Sequence, residues 1–461
     1  MTTLRLTDSL HLELHNHLFP GDGLEAVALL ICGRHEDSER GVLTARKVVP
    51  IPYEECSVRR DDLVVWSTDS LDRIVAEVWN TGASIVKVHS HPGGYTKFSE
   101  VDDRSDRALS LAFDCLFTEG RLHASAIMLP SGRMFGRELI CAKIGEPLSS
   151  VLVAGENIDF WPNQVCESER PDDRRNLQAF GSGTISLLSS LRVAVIGCSG
   201  TGSVVIEQLA RLGVGSFVLV DPDLIEEKNL NRILNSTAED AREGTPKVRV
   251  MERMIHSLGR GQNVLALQQN LDSAEAVRRV CECDIIFGCV DGAEGRNLAN
   301  RIAAYYLQAY IDVGVSLVAD GVGGIDGIAG AVHYYSPGSS SLLDRGAFTL
   351  EQVRAEETKR TNPDGYAELK RQKYILGVDE ERPAVISVNT LFAALAVMEF
   401  LARVHRFRNI HNREFSTVRG DLCESVLFRE PEIGIQAHLK RELGLGDQVP
   451  LLGRVSLSEG S

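Results

Sequence analysis

Apolar and polar positions change their period twice along the 461-residue chain. Over residues ~20–145, short apolar runs (AVALLICGR, ASIVKVHSH, LHASAIMLP) alternate with stretches of helical period (SLDRIVAEVWNTG, DDRSDRALSLAFDCL). Across 155–176, in GENIDFWPNQVCESERPDDRRN, both periods fail and two prolines intervene, which predicts a seam between domains. From Leu191 a second pattern begins with the buried strand RVAVIG, a glycine-rich turn, the helix SVVIEQLARLG and the strand SFVLVD. That βαβ order predicts a parallel sheet with a right-handed crossover. The strand DIIFGCVD and the helix RNLANRIAAYYLQA extend it. Past ~335 the pattern loosens (SPGSSSLLDRG, TKRTNPDGYAELK) before a strongly apolar helix, SVNTLFAALAVMEFLARVH. The expected organisation is an α/β domain over 1–150, a linker over 151–174, and a doubly wound, Rossmann-like α/β domain with a mixed sheet over 175–461.

Length supports more than one core, and a composition of 43% hydrophobic and 25% charged residues is that of a globular protein. The formal charge of −15 argues against nucleic acid as a partner. It leaves room for a protein partner with a local basic patch. None of the ten cysteines stands in a C-x-x-C pair, so a structural zinc ribbon is not expected. The start, MTTLRLTDSLHLEL, lacks the basic-then-apolar plan of a signal peptide. No apolar run approaches the ~18 residues that span a bilayer. A cytoplasmic protein with free thiols and no membrane partner is the expectation.

Chemistry first gathers in KVHSHPGGYTKFSEVDD. His89 and His91, two apart at a strand's end, share one face, and Asp102 stands eleven residues on at the start of a helix. Ser99 also reads as that helix's N-cap. Two imidazoles and one carboxylate are the donors that catalytic zinc takes while leaving a position open. The H-x-H-P spacing, six residues and then S-x-x-D resemble the JAB/MPN metalloprotease family, over residues ~10–145. The resemblance implies that His89, His91 and Asp102 hold Zn2+. It implies that Glu25, in LEAVALLICG, takes the proton of the attacking water, and that Ser99 hydrogen-bonds the developing oxyanion.

The turn Gly197-Cys198-Ser199-Gly200-Thr201-Gly202, with Asp221 closing the next strand, fits a dinucleotide oxidoreductase equally well. Residues farther along the chain separate the two. Asn229 and Arg232 lie just beyond that strand, Lys247 in GTPK, and Asp291 at another strand's end. Cations for phosphates and a carboxylate for Mg2+ suit ATP chemistry. The ordered set resembles the adenylyltransferases that activate ubiquitin-like proteins, over residues ~170–430, with Ser199 replacing one glycine of G-x-G-G-x-G. The resemblance implies that Gly197, Gly200, Gly202, Asp221, Asp223, Asn229, Arg232, Lys247 and Asp291 bind ATP. Of these, Arg232, Lys247 and Asp291 act in catalysis, and Asp291 holds Mg2+. It also implies a homodimer in which Arg175 reaches the partner subunit's ATP. A C-terminal glycine carboxylate then attacks the α-phosphate, giving an acyl-adenylate and pyrophosphate.

Many of these enzymes pass the acyl group to a cysteine in a loop after the nucleotide site. Here that place reads HYYSPGSSSLLDRG, with no cysteine between Cys289 and Cys423. Three readings stay open: release at the adenylate, an oxyester on Ser340 or Ser341, or a thioester on Cys423. The two motif sets together predict a bifunctional enzyme of a bacterial-type ubiquitin-like pathway. Its partners would be a ubiquitin-like protein ending in glycine and a conjugating-enzyme-like protein. Activation of a sulfur carrier is the alternative of the same chemistry, and an inactive scaffold binding ubiquitin-like proteins is the alternative of another class.

Overall fold

The computed structural model describes the chain except residues 38–39, 118–119, 165–169, 171–172, 372–382, 435–438 and 458–461, and the side chains of Thr68 and Leu369. Part of the expected linker, 165–169 and 171–172, therefore lies outside the described residues. The chain divides into two compact units. The first is Met1–Val165 with Tyr305–Leu307 and Glu442–Val449; the second is Cys166–Ala304, Gln308–Arg441 and Pro450–Ser461.

In the first unit, β1 (Thr2–Thr7) leads through α1 (Asp8–Leu18) to β2 (Val27–Glu36) and β3 (Gly41–Pro50). The short strands β4 (Cys56–Arg59) and β5 (Val64–Trp66) pair with each other. Then come α2 (Asp72–Thr81), β6 (Ser84–Ser90), α3 (Glu100–Leu116), β7 (His123–Met128), β8 (Met134–Ile140) and β9 (Lys143–Pro147). Two further strands, β10 (Ser150–Ala154) and β11 (Ile158–Pro162), complete a nine-stranded sheet in the order β11-β10-β1-β3-β2-β6-β7-β8-β9. The linker expected from residue 151 is thus corrected over β10 and β11. The run SVLVA is buried throughout, and parallel pairing with β1 satisfies its backbone.

The central strands read as continuous apolar runs because both sheet faces are covered. Val27, Leu29 and Ile31 of β2 pack with Ile74 and Val78 of α2 and Leu109 and Phe113 of α3. Leu30, from the opposite face, packs with Leu14 and Leu18 of α1. In β6 the same alternation sends Val86 and Val88 to the α1 face. Ile85 faces α3, and with it the odd-numbered Lys87 and His89.

The second unit opens with α4 (Arg174–Ser190), β12 (Arg192–Ile196), α5 (Gly200–Leu212), β13 (Ser216–Val220), α6 (Ala238–Glu243), α7 (Lys247–Ser257) and β14 (Asn263–Leu267). It continues through α8 (Ala274–Cys281), β15 (Ile285–Gly288), α9 (Ala293–Tyr305), β16 (Ala309–Ala319) and β17 (Ile325–Tyr335). The last elements are α10 (Leu350–Thr361), α11 (Pro363–Arg371), α12 (Ile386–His405), β18 (Thr417–Asp421) and β19 (Val426–Glu430). The sheet order is β14-β13-β12-β15-β16-β17-β18-β19, parallel from β14 to β16 and antiparallel beyond. The chain leaves β12 toward β13 on one side and returns as β15 on the other. That reversal opens a crevice at the carboxyl ends of β12 and β15.

Two stretches differ from their sequence reading. TKRTNPDGYAELK falls in α10 and α11, both largely exposed, and α10 carries no apolar stripe to announce a helix. The helix α12 is long and apolar enough to cross a membrane by length and composition alone. It packs instead against α5, β16 and β17.

Candidate functional sites

The first site forms where the end of β6 meets the start of α3. Ser99 caps α3: its Oγ accepts from Asp102 N at 3.2 Å, while Asp102 Oδ2 accepts from Ser99 N and Oγ at 2.7 and 2.8 Å. This reciprocal cap fixes the Asp102 carboxylate at the third position of the helix, aimed at the histidines. His89 Nε2 lies 3.2 Å from His91 Nε2 and 3.0 Å from Asp102 Oδ1, and His91 Nε2 lies 3.7 Å from Asp102 Oδ2. Four ligands at zinc's usual bond lengths make a tetrahedron with edges of ~3.3 Å. The separations, taken to the nearer carboxylate oxygen each time, bracket that edge, and the donor set of two nitrogens and one carboxylate suits zinc. Among the described residues this is the group placed to hold a metal ion. Tyr95 O, 2.8 Å from His91 Nδ1, orients that ring.

Charge in the site follows from burial and proximity. Burial pushes the Asp102 carboxyl up, yet the hydrogen bonds from His89 and His91 outweigh it and leave it well below the usual range. His91 is raised, because Asp102, Tyr95 O and Glu25 outweigh its burial, whereas burial lowers His89. Glu25 precedes β2 with Oε1 3.9 Å from His91 Nε2, and burial raises its pKa to about 7. A carboxyl near neutrality beside a metal triangle is placed for proton transfer. Glu25, His89, Ser99 and Asp102 line a partly open pocket.

A buried ion cluster beneath the site is absent from the sequence reading. Lys87 Nζ reaches Asp106 Oδ1 at 2.5 Å, and Arg137 holds Asp106 Oδ2 at 2.6 Å and Asp103 Oδ1 at 2.5 Å. Asp106 is fully buried, one turn after Asp102. The signal was available: Lys87, His89 and His91 alternate in KVHSH, and a lysine inside an apolar strand needs a buried partner. As for Ser99, its hydroxyl donates to Asp102 Oδ2.

The second site lies at the crevice of the second unit. Gly197 follows β12 with φ +91°, and a Cβ there would sit 2.4 Å from Cys289 O. A Cβ on Gly202 would sit 1.8 Å from Gly197 O, so the turn closes only with glycine at both ends. Asp221 orders this turn: Oδ2 accepts from Cys198 N at 2.7 Å and Oδ1 from Asp223 N at 2.9 Å. Burial raises its pKa, with Lys247 opposing. Lys247, buried at the start of α7, donates to Asp223 Oδ2 at 2.7 Å. Asn229 Oδ1 accepts from Glu226 N at 3.0 Å as a local cap.

Arg232 lays its stem beside Gly200, with Cγ and Cδ 3.3 Å from where a Cβ would stand. Its guanidinium donates to Lys228 O at 2.7 Å. Asp291 is exposed just past β15. Gly197, Gly200, Gly202, Asp221, Asp223, Arg232 and Lys247 are therefore linked by contact around one turn. Arg175, in the first turn of α4, is exposed and 3.4 Å from Gln178 Oε1.

The serine readings for an acyl acceptor are corrected. Ser340 and Ser341 are buried, at 0% and 1% exposure. Arg345 Nε donates to Ser340 Oγ at 2.8 Å, and Ser341 Oγ donates to Asp344 Oδ2 at 2.8 Å in a turn cap. A guanidinium removes no proton, and a buried hydroxyl meets no incoming tail. Cys423 is exposed in the β18–β19 turn. Its strand stands four places from β12, about 19 Å across at ordinary strand spacing.

Residues 173–429 match the ThiF family, and residues 7–173 match the prokaryotic homologs of the JAB domain. Ubiquitin-like modifier-activating enzyme 5 of Bombyx mori is 27% identical over 162 residues, covering 33% of this chain and 38% of that protein. The SAMP-activating enzyme E1 of Haloferax volcanii is 32% identical over 119 residues, covering 26% and 43%. The chain thus spans less than half the length of either relative. A crystal structure of E. coli MccB with ATP aligns at a TM-score of 0.42 and 20% identity, covering 58% of this chain and 72% of that one.

Proposed function

Because this chain belongs to the ThiF family and carries a JAB-type domain ahead of that region, we propose that it is a two-site enzyme acting on the C-terminus of a ubiquitin-like protein. The second unit activates the C-terminal glycine carboxylate with ATP. A carboxylate oxygen bonds to the α-phosphorus, the bond from the α-phosphorus to its bridging oxygen breaks, and pyrophosphate leaves. Lys247 and Arg232 neutralise phosphate charge, and the backbone N–H groups at the start of α5 point at the bound anion. Asp291 would hold Mg2+, which would offset phosphate charge when bound. Arg175 serves the nucleotide of a second subunit.

The first unit hydrolyses the peptide or isopeptide bond at the end of the same kind of tail. His89, His91 and Asp102 hold the zinc ion, which when bound supplies a Lewis acid and lowers the pKa of water to about 7. Glu25 takes the water's proton and returns it to the leaving amine. Ser99 keeps Asp102 in line. With Ser340 and Ser341 buried and Cys423 remote, the adenylate is the end product of the second unit and passes to another protein.

The observation that supports the reading most is the zinc-sized triangle beside Glu25 in a chain that also builds a glycine turn braced by Asp221 and flanked by Lys247 and Arg232. The test is exchange of labelled pyrophosphate into ATP with Mg2+ and ubiquitin-like proteins that end in glycine. Partner-dependent exchange is expected; its absence with every such partner removes the activating half. A sulfur carrier ends in the same carboxylate, so a thiocarboxylate product would assign that alternative.

A further inference from the structure

The first turn of α5 has a neighbour besides its glycines and their cations. Its N-cap, Ser199, makes no side-chain capping bond, so the turn's leading N–H groups are left for a ligand. Over Gly200, the first residue of α5, sits a side chain from far along the chain. Asn389 Nδ2, in the first turn of α12, lies 2.2 Å from where a Cβ on Gly200 would be. Arg232 Cγ and Cδ stand 3.3 Å from the same point, so the amide and the arginine stem flank one spot.

Asn389 is buried at 3% exposure, and its Oδ1 has no hydrogen-bond partner among the described residues. Along the helix it stands beside buried Val388, Phe392 and Ala393, while Ile386, three residues before it, is exposed. A leucine of the same shape would fill the space without leaving a polar atom unpaired. Folding alone disfavours an amide here, because an unsatisfied buried polar group costs stability. A group that weakens the fold where it stands, beside an anion-binding turn, is the pattern of a ligand contact.

We infer that Asn389 is a further nucleotide-contact residue, its Nδ2 donating to a phosphate oxygen of ATP held at the α5 turn beside Arg232. The inference rests on the adenylating function proposed for this unit and adds a contact from α12, outside the glycine turn and its cationic neighbours. The amide brings a donor without a charge, so it holds the phosphate without competing with Lys247 and Arg232 for counter-charge.

The test is calorimetric titration of the full chain with MgATP, with thermal midpoints measured in the absence of nucleotide. Asn389→Leu removes the donor and relieves the unpaired oxygen. Losing a hydrogen bond to a charged group weakens MgATP roughly tenfold or more, while the nucleotide-free midpoint holds or rises. Asn389→Asp keeps the shape but turns a donor into a negative charge facing phosphate, and is expected to weaken MgATP further.

Wild-type affinity in Asn389→Leu overturns the inference, as does wild-type affinity in Asn389→Asp, which would show that the residue accepts rather than donates. A midpoint that falls together with affinity in Asn389→Leu assigns a structural role and overturns it too. Should the leucine variant not fold, the aspartate variant decides alone. No MgATP binding by the wild-type chain would sink the nucleotide reading itself, whereas wild-type binding with unaffected variants sinks only the role of Asn389.

Discussion

The two sites are built in opposite ways. At the metal centre the side chains hold one another: Asp102 is fixed by a helix cap, and buried Asp106 one turn later is held by Lys87 and Arg137. At the nucleotide site the backbone does most of the building. Glycines admit the close approach, Asp221 braces the turn, and Asp291 and the guanidinium of Arg232 face solvent or local carbonyls. Substitutions beneath the metal centre should therefore cost stability. Substitutions of Arg232 and Asp291 beside the nucleotide should cost function and leave the fold alone.

The largest expected effect is His89→Ala, which leaves two ligands and removes the donor nearest Asp102. Bound zinc, read by elemental analysis, should fall to a small fraction, cleavage should cease, and pyrophosphate exchange should stay at the wild-type rate. Glu25→Gln sharpens the point: zinc stays bound, while loss of the proton carrier lowers the cleavage rate roughly 100-fold or more.

Asp106→Ala tests the claim about construction. It leaves buried Lys87 and Arg137 without their shared carboxylate, at a cost of about 3–5 kcal/mol in denaturant unfolding. Its counterpart Arg232→Ala should change unfolding by less than about 0.5 kcal/mol and remove most of the exchange activity. Equal stability losses in the two would erase the contrast.

Acid should loosen both units through one buried imidazole each. Burial, reinforced by nearby arginines, lowers His123 and His333 from 6.5 to about 3. Between those values the unfolded chain binds a proton that the folded chain refuses. The stability these groups allow is complete above pH 6.5 and drains away as pH falls toward 3. At pH 5 each imidazole accounts for about 2 kcal/mol of loss. Replacing His333 with Gln should flatten that slope in chemical denaturation. The smallest effect is expected for Ser340→Ala, about 1 kcal/mol from one lost hydrogen bond and no change in exchange, since Ser340 is a packing residue.

How much of this the sequence disclosed depended on whether a residue's job was local. The histidine pair, Asp102 and the glycine turn are set by spacing within one strand, one cap and one βαβ unit, so their placement was legible before any fold was known. The alternation in KVHSH also contained Lys87, but its meaning needed Asp106 and Arg137 from other elements. The strand β10 was hidden because the four apolar residues 151–154 say nothing of their partner, and β1 lies nearly 150 residues away. The polar helix α10 carries no stripe to read. Asn389 gave no sign in SVNTLF, since only the fold places it over Gly200. The serines of SPGSSS misled for the opposite reason. A Ser/Gly run reads as an open loop, and Arg345, Glu432 and Asp344 fasten this one inside.

The most direct test is intact-mass spectrometry of one ubiquitin-like protein whose terminal glycine is followed by a short extension, incubated with the full chain, Zn2+ and MgATP. Two successive changes are expected in the same partner: loss of the extension, then gain of one adenylyl group on the exposed glycine. Partners of this kind that keep their extension and, when supplied already trimmed, acquire no adenylyl group would contradict a shared carboxyl tail as the substrate of both sites.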